Sequence, residues 1–173
     1  MTAAAVLMVI YVTIALLDGL YLHFWKYKLY SRLESIYEHK LHTLRSVFFP
    51  FILYLLFAKN FGGVLLWIGI SLSSIDLIVG ALDIFAEKDS RRSLGGLSTF
   101  EYFLHVMAES VHFTYLALIL VAKPADAWGF SASVVLDSPY PQFMSLVFWG
   151  ILPGAVGAAV LHVWLLQRKY LTS

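Results

Sequence analysis

The sequence predicts an all-α polytopic membrane protein: a single domain over residues 1–173, with five transmembrane helices, four of them forming a polar-cored bundle. Three observations lead there. The chain is 60% hydrophobic and only 13% charged, whereas a soluble domain carries roughly 25% charged residues; its mean hydropathy is +0.78. Apolar stretches recur near 3–27, 31–58, 62–86, 99–122 and 142–167, each long enough to cross a bilayer. Ionisable residues crowd one end of the first four stretches.

The first apolar run, Thr2 to Leu17, has no basic leader and no small-residue cleavage site, so it is expected to persist as a helix and not to act as a signal peptide. A tight turn near Tyr30 follows. The second helix opens on Ser31-Arg-Leu-Glu34, which fits a capping box, and carries Pro50, a kink that neighbouring groups can satisfy. The turn Asn60-Phe61-Gly62-Gly63 leads into the third helix, and the loop "EKDSRRSLGG" leads out of it. A second capping box, Ser98-Thr-Phe-Glu101, starts the fourth. On this reading Glu34 and Glu101 are helix caps, and Arg91 and Arg92 meet lipid headgroups. The segment "KPADAWGFSASVVLDSPYP" precedes the fifth helix, whose only ionisable residue before Arg168 is His162. That helix reads as scaffold.

Ten of the twelve Lys and Arg residues fall on one side of these spans, and only Lys59 and Lys123 fall on the other. The split puts the N-terminus outside and the C-terminus in the cytoplasm, as in a bacterial inner-membrane protein. A net charge of +1 makes no case for nucleic acid, and the absence of cysteine removes disulfides and thiolate ligands.

The charge-free runs are 17, 13, 16, 13 and 30 residues long, and the first four fall short at their cytoplasmic ends. All six histidines and nine of the eleven acids lie in that inner half, the exceptions being Asp126 and Asp137. Ionisable groups at membrane depth usually face a bundle interior or a watery cavity. Within "EYFLHVMAESVHF", Glu101, His105, Glu109 and His112 fall at about 0°, 40°, 80° and 20° around a helix. Glu38, His42 and Arg45 share a face of the second helix, with His39 at its flank. Counting from Ser31 and Ser98 pairs Glu38 with His105 and His42 with Glu109 in depth, so that "SRLESIYEHKLHTLR" and "STFEYFLHVMAESVH" form an internal echo. The preceding helices offer Asp18 and Asp83, with Asp76 two turns from Asp83 on the same face.

These residues read as a metal site. Glu38, His42, Asp83, His105, Glu109 and His112 are the candidate ligands, with Asp18, His23, His39 and Asp76 as further or supporting ones. Carboxylate and imidazole without thiolate suit Fe, Mn or Zn. His105 and His112 are about 10 Å apart along a helix. That span suits two divalent ions about 3.5–4 Å apart, iron first, better than one. No catalytic residue is assigned.

Glu109-Ser-Val-His112 is a Glu-x-x-His pair, and Glu38-His-Lys-Leu-His42 is one residue longer; Asp18 and Asp83 or Asp76 supply lone acids. This pattern resembles the ferritin-like di-iron carboxylate proteins, in which two helices give one Glu each and two give Glu-x-x-His. A second comparison is with membrane fatty-acid desaturases and hydroxylases, similar in location and histidine richness, although their HxxxH and HxxHH boxes are missing and His39-Lys-Leu-His42 is only HxxH. The resemblances imply a metal-dependent, di-iron oxidoreductase or hydroxylase acting on a membrane lipid or lipophilic small molecule, with a redox partner. Two alternatives stand beside it: a proton- or ion-coupled transporter using an acid/His relay, and a b-type haem protein ligated by His42 and His105.

Overall fold

The apolar runs fold as helices. The computed structural model describes residues 1–137 and 139–171, with side chains through Arg168. Helix α1 (Thr2–Leu16) runs straight on as a π-helix over Leu17–Lys26. Helix α2 (Ile36–Leu53) likewise ends in a π turn, Tyr54–Ala58. Helices α3 (Gly63–Ser90), α4 (Thr99–Val121) and α5 (Gln142–Leu171) complete the set. The described residues contain no strand, only an isolated bridge between Phe61 and Val135. All five helices are long and apolar enough to cross a membrane.

Two predicted boundaries that bear on the site are wrong: α3 runs on through Glu87 to Ser90, residues expected in the loop, and the start of α2 falls late. Helix α2 begins at Ile36 and not at residue 31. Lys28 adopts a left-handed backbone conformation (φ 51°), which breaks the chain after α1 and starts a short 3₁₀ turn, Leu29–Ser31. The Ser31 hydroxyl donates back to the Lys28 carbonyl at 2.7 Å and caps nothing. Glu34 turns outward to Arg32 and to the Ser93 hydroxyl. Ser35 is the N-cap residue of α2, so the Ser31–Glu34 capping box does not form.

Helix α1 lies against α4, and α2 lies between α3 and α5. The apolar core occupies one end of the molecule, where Ala4 and Met8 of α1 meet Leu56 and Phe57 at the end of α2, Leu66 of α3, and Tyr115 and Ile119 of α4. Gly69 permits this approach: a Cβ there would lie 2.7 Å from a Leu56 methyl carbon. Small residues that let helices approach closely are what helix packing in lipid depends on.

The connection between α4 and α5 folds across that apolar end. Gly62 N–H donates to the Val134 carbonyl, Leu136 N–H to the Asn60 carbonyl, and Trp67 Nε1–H to the Trp128 carbonyl. Gly63 has φ 58°, and a Cβ there would lie 2.7 Å from the Ala132 carbonyl, so glycine is required twice over. The ammonium of Lys123 ties the two connections together, donating to Asn60 Oδ1 at 2.9 Å and the Phe61 carbonyl at 2.8 Å. Burial lowers its pKa to about 8.

Candidate metal centre

The polar residues gather at the other end, and each helix supplies its share by a local geometry. On α2, Glu38 and His42 are one turn apart, as are Asp83 and Glu87 on α3 and Glu101 and His105 on α4. The first helix achieves the same by other means. Asp18 and His23 are five residues apart and would point about 140° from each other in an α-helix. In the π-helix, whose hydrogen bonds join i and i+5, they stand one above the other. His23 Nε2 accordingly lies 3.4 Å from Asp18 Oδ1.

Seven side chains converge: Asp18, His23, Glu38, His42, Asp83, Glu87 and His105. They form three overlapping groups whose ligand atoms all lie within 4.8 Å of one another: Asp18–His23–His42–His105, His23–Glu38–Glu87 and Glu38–His42–Asp83. His105 sits between two carboxylates, Nε2 2.8 Å from Asp18 and Nδ1 2.6 Å from Glu87. His42 Nε2 is 3.1 Å from Asp83 Oδ2 and 3.9 Å from Glu38 Oε1. Each imidazole therefore meets at least one carboxylate, the arrangement in which a carboxylate orients a metal-binding histidine.

Arg91 closes the end of this cluster. It was expected at lipid headgroups and is instead fully buried. Its guanidinium forks onto Glu38, Nη1 to Oε2 at 2.8 Å and Nη2 to Oε1 at 3.0 Å. Its Nε–H donates to Glu101 Oε1 at 2.7 Å, and its Nη1 also donates to Ser90 Oγ, which in turn donates to Ser35 at the start of α2. Burial works against the guanidinium's charge, but the bonds to Glu38 and Glu101 outweigh it and raise the pKa above the ordinary arginine value. Glu101 corrects the capping expectation in half. Its backbone N–H donates to Ser98 Oγ at 3.2 Å, as a box requires, while its carboxylate turns inward to Arg91.

A second polar cluster lies one turn further along the helices. Arg45 pairs with Glu109 (Nη2 to Oε1, 2.5 Å) and with Asp76 (Nε to Oδ1, 3.5 Å). His112 Nδ1 is 3.5 Å from Asp76 Oδ2, and its ring packs against both Tyr11 and Tyr115, at centroid distances of 4.7 and 5.1 Å, the two tyrosine rings themselves being 5.5 Å apart. Of the candidate ligands, Glu109, His112 and Asp76 are thus in this deeper cluster and outside the converging groups. His39 is outside them too, stacked on His162 of α5 with centroids 5.4 Å apart. His162 in turn lies against His42, ring centroids 6.5 Å apart, so α5 packs on the histidines of α2.

The depth pairing shifts by one turn. Glu38 is level with Glu101, both on Arg91, and His42 is level with His105, not with Glu109. Counted from the true N-caps, the frame Ser-x-x-Glu-x-x-x-His repeats at Ser35-Ile-Tyr-Glu38-His-Lys-Leu-His42 and Ser98-Thr-Phe-Glu101-Tyr-Phe-Leu-His105. That repeat was the signal for Glu101. Glu87 could have been found as the residue one turn beyond Asp83 on the face that Asp76 shares.

No known protein family matches the chain, and no curated protein or solved structure does so either. The Glu-x-x-His pair that carries the di-iron resemblance, Glu109 and His112, belongs to the arginine-paired cluster; the seven converging residues follow a grammar of their own.

Proposed function

We propose that the chain is an integral-membrane metalloenzyme, an oxidoreductase or hydroxylase that uses two divalent ions, iron first, at the end of the bundle carrying Glu38, His42 and His105. The ten-to-two split of Lys and Arg supports placing that end at the cytoplasmic face, with the N-terminus outside. The observation that carries the reading is the charge balance around the converging ligands. Asp18, Glu38, Asp83, Glu87 and Glu101 are all at most 6% exposed, and among the described residues Arg91 is the one buried arginine or lysine in contact with them. Buried anions need compensation. Counted as ionised, five carboxylates against one guanidinium leave four negative charges, which divalent ions would offset together with a protonated His105, whose two ring nitrogens face Asp18 and Glu87. The nitrogen and oxygen ligand set suits Fe, Mn or Zn.

The reaction class is supported by a ligand set that would suit a redox metal, set among apolar helices. A hydroxylation would convert R–H, dioxygen, two electrons and two protons into R–OH and water. It therefore takes its electrons from a separate donor, the redox partner this reading includes.

The second reading is a proton or ion relay. Its support is the continuation of the polar residues past the cluster through Arg45, Asp76, Glu109 and His112. The haem alternative fits less well: His23 stands between the proposed axial ligands, its ring centroid 4.4 Å from that of His42 and 5.5 Å from that of His105, in the space a porphyrin would need.

Elemental analysis of freshly purified, unchelated protein tests the proposal, with about two metal ions per chain expected for a two-ion site. The same preparation in proteoliposomes, with cysteines at Lys88 and Ser131 reporting orientation, should carry no proton or cation flux. Flux without stoichiometric metal would establish the relay instead.

A further inference from the structure

We propose that a cleft between α1, α2 and α5 admits the acyl chain of a membrane lipid sideways to the histidines of the cluster. The inference rests on the intramembrane reading above and extends it by naming the route and the part of the substrate that takes it. The cleft is narrow: its walls enclose about 20 Å³, and the empty space reaches about 380 Å³ only with the open mouth included, so a chain end enters only as the walls part. Its walls are apolar: Leu20 and Phe24 of α1, Leu29 of the following turn, and Leu161 and Leu165 of α5. Its inner end is imidazole, from His23, His42 and His162. Among the described residues, no carboxylate, lysine or arginine lines it.

Three features choose a lipid chain as occupant. The cleft lies beside the Lys26 and Arg168 ends of the candidate spans Thr2–Lys26 and Gln142–Arg168, with Leu29 of the connecting turn also lining it, so on the intramembrane reading it sits at the headgroup side of one leaflet. Leu20 and Phe24, 48% and 38% exposed, form its lip on the outer surface of α1. Among the histidines of the four-ligand group, His42 alone is partly exposed, its side chain at 15% against 5% for His23 and 7% for His105. The cluster is therefore least covered where this cleft reaches it. Gly19 lines the cleft beside Asp18, and a Cβ added there would meet nothing within 4 Å. A small residue leaves the passage open at the point where a side chain would enter it.

The test is photo-crosslinking in vesicles of phosphatidylethanolamine and phosphatidylglycerol, doped with a phospholipid whose acyl chain carries a diazirine and an alkyne. Labelled peptides are mapped by mass spectrometry. Crosslinks are expected to concentrate on Leu20, Phe24 and Leu161, and Gly19→Trp, which fills the passage, should cut them at least about fivefold. Leu161→Trp narrows the cleft from α5 and should do the same if Gly19→Trp proves unstable, while Gly19→Ala should label like the parent. Metal content is read on every sample. Normal cleft labelling in protein without metal would sustain the cleft and defeat the metalloenzyme reading. Stoichiometric metal with labels spread evenly over exposed α5 residues such as Leu146 and Trp149, unchanged by Gly19→Trp, would overturn the cleft and leave the metal reading standing.

Discussion

Two polar clusters lie one behind the other in this bundle, and they hold the same kinds of residue in opposite balance. In the deeper one, Arg45 sits between Asp76 and Glu109, and a single histidine, His112, packs against two tyrosine rings. In the nearer one, three histidines face several carboxylates, and the only guanidinium, Arg91, is held at the edge by Glu38 and Glu101. Acids against arginine make a closed ion pair, because the guanidinium fork satisfies carboxylate oxygens directly. Acids against imidazoles leave lone pairs converging on one volume, which is what a metal ion requires. Residue type alone does not separate a ligand from a salt-bridge partner; the identity of the facing cation does.

The comparison breaks most visibly on metal content. Asp18→Asn and His42→Ala each remove an atom from the four-ligand group, and bound metal should fall at least about tenfold in each, the lower end of what even supporting partners of a metal site cost. Glu109→Gln and His112→Ala touch only the deeper cluster and should leave metal near the parent level. Elemental analysis across the four variants decides the matter. Equal losses in all of them would mean that the two clusters act as one site.

The next effect is on stability. Removing one member of a buried ion pair costs about 3–5 kcal/mol, so Arg91→Met and Arg45→Met should both lower the thermal midpoint in detergent. The two should differ when a divalent ion such as Mn²⁺ is added. Losing Arg91 frees Glu38 and Glu101 next to the converging ligands, and metal should recover part of the loss. Losing Arg45 frees Asp76 and Glu109 away from them, and metal should recover nothing. Recovery of both variants, or of neither, would erase the distinction drawn between the clusters.

The spans were legible in the sequence because hydropathy reports burial in an apolar medium almost directly, and four of the five helix starts fell within a residue of expectation. The exception came from two Ser-x-x-Glu frames one turn apart, at Ser31 and Ser35. Either can cap a helix, and nothing about Lys28 announces the left-handed backbone that rejects the first. The histidine seven residues on separates them, since only the Ser35 frame reproduces the Ser98 frame through His105. The convergence of Asp18 with His23 was hidden for a geometric reason: the π-helix changes the period that sequence reading assumes. Arg91 was misread because a cation in a loop between two spans ordinarily meets headgroups. The unusual number of acids aimed at its end of the bundle was the countersign.

The smallest effect is also the most local. Gly80 of α3 faces Glu109, and a Cβ there would lie 2.7 Å from Oε1 and 2.9 Å from the carboxyl carbon. Real contacts do not come that close, so in Gly80→Ala the carboxylate must withdraw, and withdrawal takes it from Arg45. Overpacking of this kind typically costs about 1–3 kcal/mol, to be read as a lowered thermal midpoint with unchanged metal content. The clash can be separated from any general effect on the helix by a double-mutant cycle. With Glu109→Ala in place the clash is gone, and Gly80→Ala should become neutral or even stabilising, because alanine is favoured over glycine in a helix interior by about 1 kcal/mol. A full loss in the Glu109→Ala background would show that Gly80 serves helix packing and not the arginine pair. A fall in metal content in Gly80→Ala alone would show that strain in the deeper cluster reaches the nearer one, and that the two are coupled.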